Sequence, residues 1–173
     1  MDRKRPTPRR DTRGRLQPRT LLPLAAIALV ILVATIWGMS TATPHDPVRE
    51  EYIRTWGERI DAFNAGYPLE GYGDVFAAAA YDNGIDPRYS PAIARVESGS
   101  GNHCFLPHNA WGWGSASWPN WGTAIYEHVY LLSVGYGPTL DYDDARRYNP
   151  ETTGEWYEQV EMCMDQIWPD GGY

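Results

Sequence analysis

The sequence predicts a mainly helical domain that follows a single membrane-spanning helix near the N-terminus. An uncharged apolar run occupies residues 21–39. Beyond it, apolar residues recur at spacings of three and four through most of the chain, the period of an amphipathic helix. No pair of alternating segments is joined by a β-hairpin turn signature. At 173 residues the chain has the length of one domain with its flanking segments.

Charge divides the chain into a basic arm and an acidic body. Residues 1–20 carry eight basic and two acidic side chains, a net charge of +6, whereas the whole chain carries −7, so residues 21–173 carry −13. A basic flank before an apolar run places that flank in the cytoplasm. We expect no nucleic-acid role for the arm, because no aromatic residue interleaves its arginines.

The apolar run 21–39 is long enough to cross a bilayer. Its 19 residues would span roughly 28 Å as a helix, close to the thickness of the hydrocarbon core. We therefore expect an uncleaved anchor, a spacer over residues 40–47 and an extracytoplasmic domain over residues 48–173. The alternative is a secreted protein whose signal segment is cleaved after small residues at 40–42.

Two cysteines agree with an exported domain. Cys104 and Cys163 form an even count in a chain expected outside the cytoplasm, which predicts one disulfide. It would close a loop of about 60 residues and contribute on the order of 4 kcal/mol in the chain-entropy model. Two buried free thiols are the alternative.

Four segments have the helical period or composition. The first begins near residue 52, the second covers 74–81 and ends near Gly84, the third covers 121–134, and the last covers 155–168. The predicted inner faces are Tyr52, Ile53, Trp56, Ile60 and Phe63 in the first; Ile125, His128, Val129 and Leu132 in the third; Trp156, Val160, Cys163 and Ile167 in the last. Residues 102–120 are rich in Gly, Pro, Asn and Trp, and we expect an irregular or small β segment around 102–118.

A fifth helix, within residues 85–101, carries the most informative side chain. Ser90 is a good N-cap before Pro91, and Gly99 follows the last helical turn. Glu97 would then lie at the C-terminal end of a helix that is apolar on most sides. Partial burial disfavours the charged form of a carboxyl group and raises its pKa, as a general acid near neutral pH requires.

Three stretches resemble the lysozyme-like superfamily of lytic transglycosylases, in that family's order and over residues 74–168. They are NGIDPRYSPAIARVESGSG at 83–101, NAWGWG at 109–114, and YGPTLDYDDARRYNP at 136–150 followed by WYEQVEMCMDQIW. The resemblance implies a lysozyme-like α+β fold. It also implies a bacterial membrane location with the domain outside, and cleavage of the MurNAc–GlcNAc β-1,4 bond in the glycan strands of peptidoglycan.

The resemblance also implies roles for individual residues. Glu97 corresponds to the catalytic acid, Ser98 to a neighbour that hydrogen-bonds near it, and Tyr148 to a tyrosine of the opposite cleft wall. Asn109 and Gly112 correspond to the floor of the sugar site. Residues 112–115 depart from the common Gly-Leu-Met-Gln form and are closer to glucosaminidase-type relatives.

Tryptophans provide a second indication of a saccharide site. Trp111, Trp113, Trp118 and Trp121 lie within eleven residues. Indole rings stack on sugars, although they also fill small cores. We expect Trp111 and Trp113 to contact substrate. His103 and His108 flank Cys104 without the spacing of a zinc site, so neither a metal nor a cofactor is expected.

Three functions remain open from the sequence. A transglycosylase needs one glutamate, because the N-acetyl group and the 6-hydroxyl of the sugar replace a second carboxylate and water. A hydrolase would recruit a second carboxylate, and a wall-binding module would cleave nothing. The candidate second carboxylates are Asp141, Asp143, Asp144, Glu151 and Glu127, which we interpret as caps or solvated groups.

The acidic body favours remodelling of the cell's own wall from a tether over attack on foreign anionic walls. The oligomeric state is left open.

Overall fold

The computed structural model describes residues 46–169, which contain six helices and no strand. These residues belong to one compact unit of the chain. No helix among them is long and apolar enough to cross a membrane. The predicted basic arm, the predicted span at 21–39 and most of the spacer lie outside the described residues.

The helices follow the predicted segments with one addition. In chain order they are α1 (Pro47–Asn64), α2 (Gly73–Asn83), α3 (Tyr89–Ser98), α4 (Trp121–Gly135), α5 (Tyr142–Tyr148) and α6 (Thr153–Ile167). Side-chain oxygens cap three of them at their N-termini: those of Asp46 for α1, Asn120 for α4 and Asp141 for α5. The mainly helical class predicted from the sequence is therefore confirmed.

Helices α1 and α2 approach each other closely because glycines lie between them. A Cβ atom at Gly73 would collide with the carbonyl oxygen of Gly57. The amide nitrogen of Gly73 also donates a 2.7 Å hydrogen bond to the carboxylate of Asp61 on α1. This close contact fixes α2, whose Phe76 and alanines enter the core and which also packs against α4.

The predicted inner faces form most of the core. On α4, Ile125, His128, Val129 and Leu132 are all at most 1 % exposed. On α1 and α6 part of each predicted inner face is buried, namely Trp56, Ile60, Trp156, Val160 and Ile167. The core thus reaches Trp156, whose indole nitrogen takes part in the site described below.

The local structure differs from the sequence expectations at the start of α3 and in one short helix. Ser90 is not the N-cap of α3, because the helix already begins at Tyr89. The Ser90 hydroxyl instead lies 2.9 Å from Nδ1 of the buried His128. Residues 102–118 form turns and bends without a strand, so of the two alternatives expected there the irregular one is confirmed. Helix α5 was not predicted, since its seven residues bury only Asp144 and Ala145.

The predicted disulfide is also absent. Cys104 and Cys163 are free thiols, each partly buried. The Sγ atom of Cys104 points toward the carbonyl oxygen of Gly101 at 3.5 Å. Burial raises the pKa of both thiols, which keeps them in the protonated form.

Candidate active site

Glu97 is held at the end of α3 by the helix-terminating glycine that follows it. Gly99 adopts the left-handed conformation with φ of 61°. The amides of Gly99 and Ser100 then bond back to the carbonyls of Arg95 and Ala94, each at 3.0 Å. This C-terminal cap fixes the last turn and with it the direction of the partly exposed Glu97 side chain.

The Glu97 carboxylate lies between an indole donor and a glycine. Nε1 of Trp156 on α6 donates a 2.7 Å hydrogen bond to Oε1. A Cβ atom built on Gly112 would lie 3.0 Å from Oε2. Gly112 has φ of 62°, a conformation that favours glycine. The chain therefore approaches the carboxylate where a side chain would crowd it.

The surroundings of Glu97 favour its protonated form. Burial raises the pKa of its carboxyl group above 4.5, and the Trp156 hydrogen bond opposes that effect in part. No ion pair to Glu97 is present within residues 46–169, so no nearby cation reverses the shift. Such a carboxyl group can donate a proton at higher pH than an exposed glutamate can.

An open cavity of about 490 Å³ is lined in part by Gly112, the glycine next to this carboxylate. Its lining residues are Gly112, Trp113, Gly114, Ser115, Ala116, Tyr136 and Tyr148. Gly112 belongs both to the cavity wall and to the contact with Oε2 of Glu97. A group bound in the cavity can therefore come close to the carboxylate.

Three aromatic rings shape the cavity. Trp113 makes edge contacts with Tyr136 and Tyr148 at centroid distances of 6.0 and 5.7 Å. Tyr148 in turn stacks on Trp156 at 4.8 Å with its plane tilted by 20°. The ring that donates a hydrogen bond to Glu97 thus also supports the cavity wall.

The hydroxyl of Tyr148 serves as a donor inside the protein. It donates a 2.7 Å hydrogen bond to the carbonyl oxygen of Trp111. Burial, together with the nearby charge of Glu97, raises its pKa well above the usual value. The hydroxyl therefore stays protonated and cannot act as a base near neutral pH.

One amide side chain organises the loop that forms the cavity floor. Oδ1 of Asn109 accepts a 3.0 Å hydrogen bond from the amide of Trp113. Its Nδ2 donates to the carbonyl oxygens of Trp113 and Ala116 at 3.3 and 2.9 Å. Asn109 is 6 % exposed, so it shapes the floor from below rather than lining it.

Two other predicted site residues lie away from the cavity surface. The Ser98 hydroxyl donates to the carbonyl of Ala94 at 3.0 Å and accepts from the amide of Gly101 at 2.9 Å. Trp111 is fully buried and stacks on His128 at 4.5 Å. Of the predicted set, the structure places Glu97, Gly112, Trp113 and Tyr148 around the open site.

Sequence reasoning missed two residues of this site. Trp156 was identified only as a core position of the last helix, and its 59-residue separation from Glu97 gives no local signal. Tyr136 follows Gly135 at the end of α4 and begins the 136–150 stretch, in which only Tyr148 was assigned a role in the cleft. The aromatic residues of the last helix and of residues 136–148 were the only signal in the sequence that pointed to these two site residues.

The five candidate second carboxylates lie elsewhere. Asp141 caps α5, Asp143 pairs with Arg146, and the buried Asp144 pairs with Arg147. The side chains at 127 and 151 are exposed on the surface. Within the described chain, no acidic residue belongs to the cavity lining, and no group of three or more His, Cys, Asp or Glu side chains is arranged to hold a metal ion.

Comparisons with known proteins leave the site to be interpreted from its own geometry. No protein-family model, no curated protein and no solved structure matches the chain.

Proposed function

We propose that this protein cleaves the glycan strands of peptidoglycan, with Glu97 as the general acid. The observation that carries the proposal is the position of the Glu97 carboxyl group against Gly112, a residue that lines an open aromatic cavity. Glycosidic cleavage needs a proton on the leaving oxygen, and a carboxyl group with a raised pKa can supply it near neutral pH. The resemblance to the lysozyme-like transglycosylases, stated above on the stretch that contains Glu97, supports the same assignment.

The lining of the cavity supports a mechanism with one carboxylate. No acidic side chain of the described residues belongs to that lining, so a carboxylate nucleophile or base is not provided there. We propose that Glu97 protonates the glycosidic oxygen as the bond to C1 of MurNAc breaks. The 6-hydroxyl of the same sugar then attacks C1 and returns its proton to Glu97. The product is a 1,6-anhydro sugar, and no water is consumed.

Hydrolysis is the second candidate, because the cavity is open to solvent on its polar side. Gly114 and Ser115 are exposed members of the lining, so water can reach the reacting carbon. Attack by water would give a reducing end instead of an anhydro ring. The departure of residues 112–115 from the common transglycosylase form favours testing this outcome.

The charge of the chain supports a tethered enzyme that acts on the cell's own wall. With −13 over residues 21–173, the domain would be repelled by anionic wall polymers at low salt. A membrane anchor at 21–39 would supply the high local concentration that free diffusion would not. We propose a bacterial membrane location with the domain outside.

Product analysis tests the proposal directly. The full chain in mild detergent is incubated with peptidoglycan sacculi, alongside Glu97→Gln and, as matched control, Glu158→Gln at an exposed position of α6. The released muropeptides are identified by mass spectrometry. We expect anhydro products, lighter than hydrolysis products by one water, from the wild type and the control. Loss of the general acid lowers the rate by about 10²–10⁴-fold.

Each other result leads to a different conclusion. Reducing-end products would replace the transglycosylase with a hydrolase on the same site. Equal release by wild type and Glu97→Gln would remove Glu97 from the mechanism. Binding to sacculi without release by any variant would make the domain a wall-binding module.

A further inference from the structure

The arginines of the described chain fall into two groups. Residues 46–169 contain seven arginines against nineteen Asp and Glu side chains. Five of the seven form ion pairs with carboxylates within this range: Arg49, Arg54, Arg88, Arg146 and Arg147. The other two, Arg59 and Arg95, pair with no carboxylate among residues 46–169, although acidic groups outnumber them severalfold.

These two arginines line the same cavity. Its volume is about 450 Å³, and its lining residues are Arg59, Ala62, Phe63, Arg95, Gln166 and Ile167. The cavity combines two cationic groups, one amide and three apolar side chains, and its lining contains no carboxylate from the described chain. Bringing two like charges into one cavity is unfavourable unless an anion joins them.

Arg95 is positioned by neutral groups on several sides. The Phe63 and Tyr67 rings lie 4.2 and 4.0 Å from its guanidinium carbon. Its Nε donates to Ser100 Oγ at 2.8 Å, and its Nη2 donates to the carbonyl of Phe63 at 2.5 Å. Within the described range its Nη1 makes no hydrogen bond, so one edge of a fixed guanidinium retains donors for a ligand.

Arg59 is positioned by an aromatic ring alone. Its guanidinium carbon lies 3.4 Å from the ring centroid of Trp168. It makes no hydrogen bond to any residue between 46 and 169. Its donors are therefore available beside those of Arg95, and paired guanidinium groups match the geometry of carboxylate and phosphate oxygens.

We propose that this cavity binds a small ligand through a carboxylate or phosphate group held between Arg59 and Arg95. The three apolar lining residues would contact a nonpolar part of the ligand next to the anion. The site is separate from the Glu97 cavity, and the proposal does not depend on glycan cleavage.

The test measures binding of two simple anions to the full chain. Inorganic phosphate and N-acetylglycinate are titrated by calorimetry at constant ionic strength, with chloride as the reference anion. The variants are Arg59→Gln and the matched control Arg54→Gln, an exposed arginine of the same helix that pairs with Glu51 and Glu58. Arg95 is kept, because its hydrogen bonds also hold Phe63 and Ser100.

We expect saturable binding of at least one anion to the wild type and to Arg54→Gln. For Arg59→Gln we expect binding about tenfold weaker, as loss of one charge-assisted contact implies. The anion that binds identifies the ligand group as phosphate or carboxylate. Absence of saturable binding by both anions, or equal binding by Arg59→Gln and the wild type, would overturn the proposal. Circular dichroism of each variant shows that weaker binding does not come from unfolding.

Discussion

The two faces of the last turn of α3 place a basic and an acidic side chain in aromatic surroundings. Arg95 and Glu97 are two residues apart, which turns their side chains about 200° from each other around the helix axis. Arg95 contacts the rings of Phe63 and Tyr67. Glu97 receives the indole N–H of Trp156 and faces Gly112.

The difference shows how one helix turn can hold a fixed cation and a carboxyl group whose pKa is raised. Aromatic ring faces stabilise a guanidinium, which stays charged. Partial burial instead raises the pKa of the Glu97 carboxyl group, and the hydrogen bond from Trp156 opposes this effect only in part. If Arg95 faced Glu97, its charge would lower that pKa. Separation across the helix therefore preserves the acid that the proposed chemistry needs.

Among changes that leave Glu97 in place, the largest effect on the cleavage rate is expected from a side chain added next to its carboxylate. Gly112→Ala adds a Cβ atom 3.0 Å from Oε2 of Glu97, a tight contact that shifts the carboxylate by a few tenths of an ångström. Misplacement of a catalytic group by about 1 Å can cost on the order of 100-fold in rate. We expect a loss of about 10–100-fold in glycan-strand cleavage, measured as muropeptide release.

Gly114→Ala is the matched control for this change. Gly114 has φ of 49° in the same loop, but a Cβ atom there would meet no atom within 4 Å. Both variants carry the strain of a positive φ, and only one of them meets Glu97. Equal losses of activity in the two variants would show that loop strain, rather than contact with Glu97, is responsible.

A smaller effect is expected from removing the hydrogen bond to Glu97. Trp156→Phe keeps an aromatic ring beside Tyr148 but removes the donor to Oε1. Since that bond lowers the pKa of Glu97, its loss raises the pKa and moves the alkaline limb of the pH–rate profile to higher pH. We expect about a tenfold lower maximal rate, because orienting contacts of this kind contribute on the order of 1–2 kcal/mol.

Trp111→Phe provides the comparison, because it also removes an indole hydrogen bond from a buried tryptophan, here to the carbonyl of Ser90. We expect it to lower stability without moving the alkaline limb. A limb that stays fixed in Trp156→Phe would contradict the assignment of that limb to Glu97.

The smallest effect concerns stability. The folded pKa of Glu97 lies above 4.5, so the folded chain binds more protons than the unfolded chain between the two values. The contribution of Glu97 to the free energy of unfolding is therefore fully present below its pKa in the unfolded chain. It is lost as pH rises through its pKa in the folded chain. We expect Glu97→Gln to gain stability relative to the wild type over that interval.

Thermal unfolding of both chains from pH 4 to pH 8 measures this difference. The exposed Glu158→Gln should follow the wild type at every pH. A difference between Glu97→Gln and the wild type that does not grow with pH would contradict the raised pKa.

Features set by neighbouring residues were predictable from the sequence. The position of Glu97 followed from apolar residues before it and Gly99 after it. The inner face of α4 followed from its spacing, and His128 belongs to that face. The same histidine lies beside the Ser90 hydroxyl, which is inside the helix and not at its N-cap. That contact joins residues 38 positions apart.

Features that depend on distant pairings were not predictable. The donor to Glu97 lies on α6, and the sequence of α6 indicates only that Trp156 is buried. The pairing of Cys104 with Cys163 was inferred from their number, whereas a disulfide requires a particular separation of the two chain segments. The predicted roles of Asn109 and Trp111 placed them near the site, but only the fold shows that both act beneath its surface.

Asn109 has a consequence for how a substrate is bound. Its three hydrogen bonds fasten the backbone of Trp113 and Ala116 before any ligand arrives. The conformational entropy of the cavity floor is therefore lost once, when the chain folds, and not again at each binding event. In the proposed cleavage of a glycan strand a binding event precedes each cleaved bond, so this saving in conformational entropy would recur at each one.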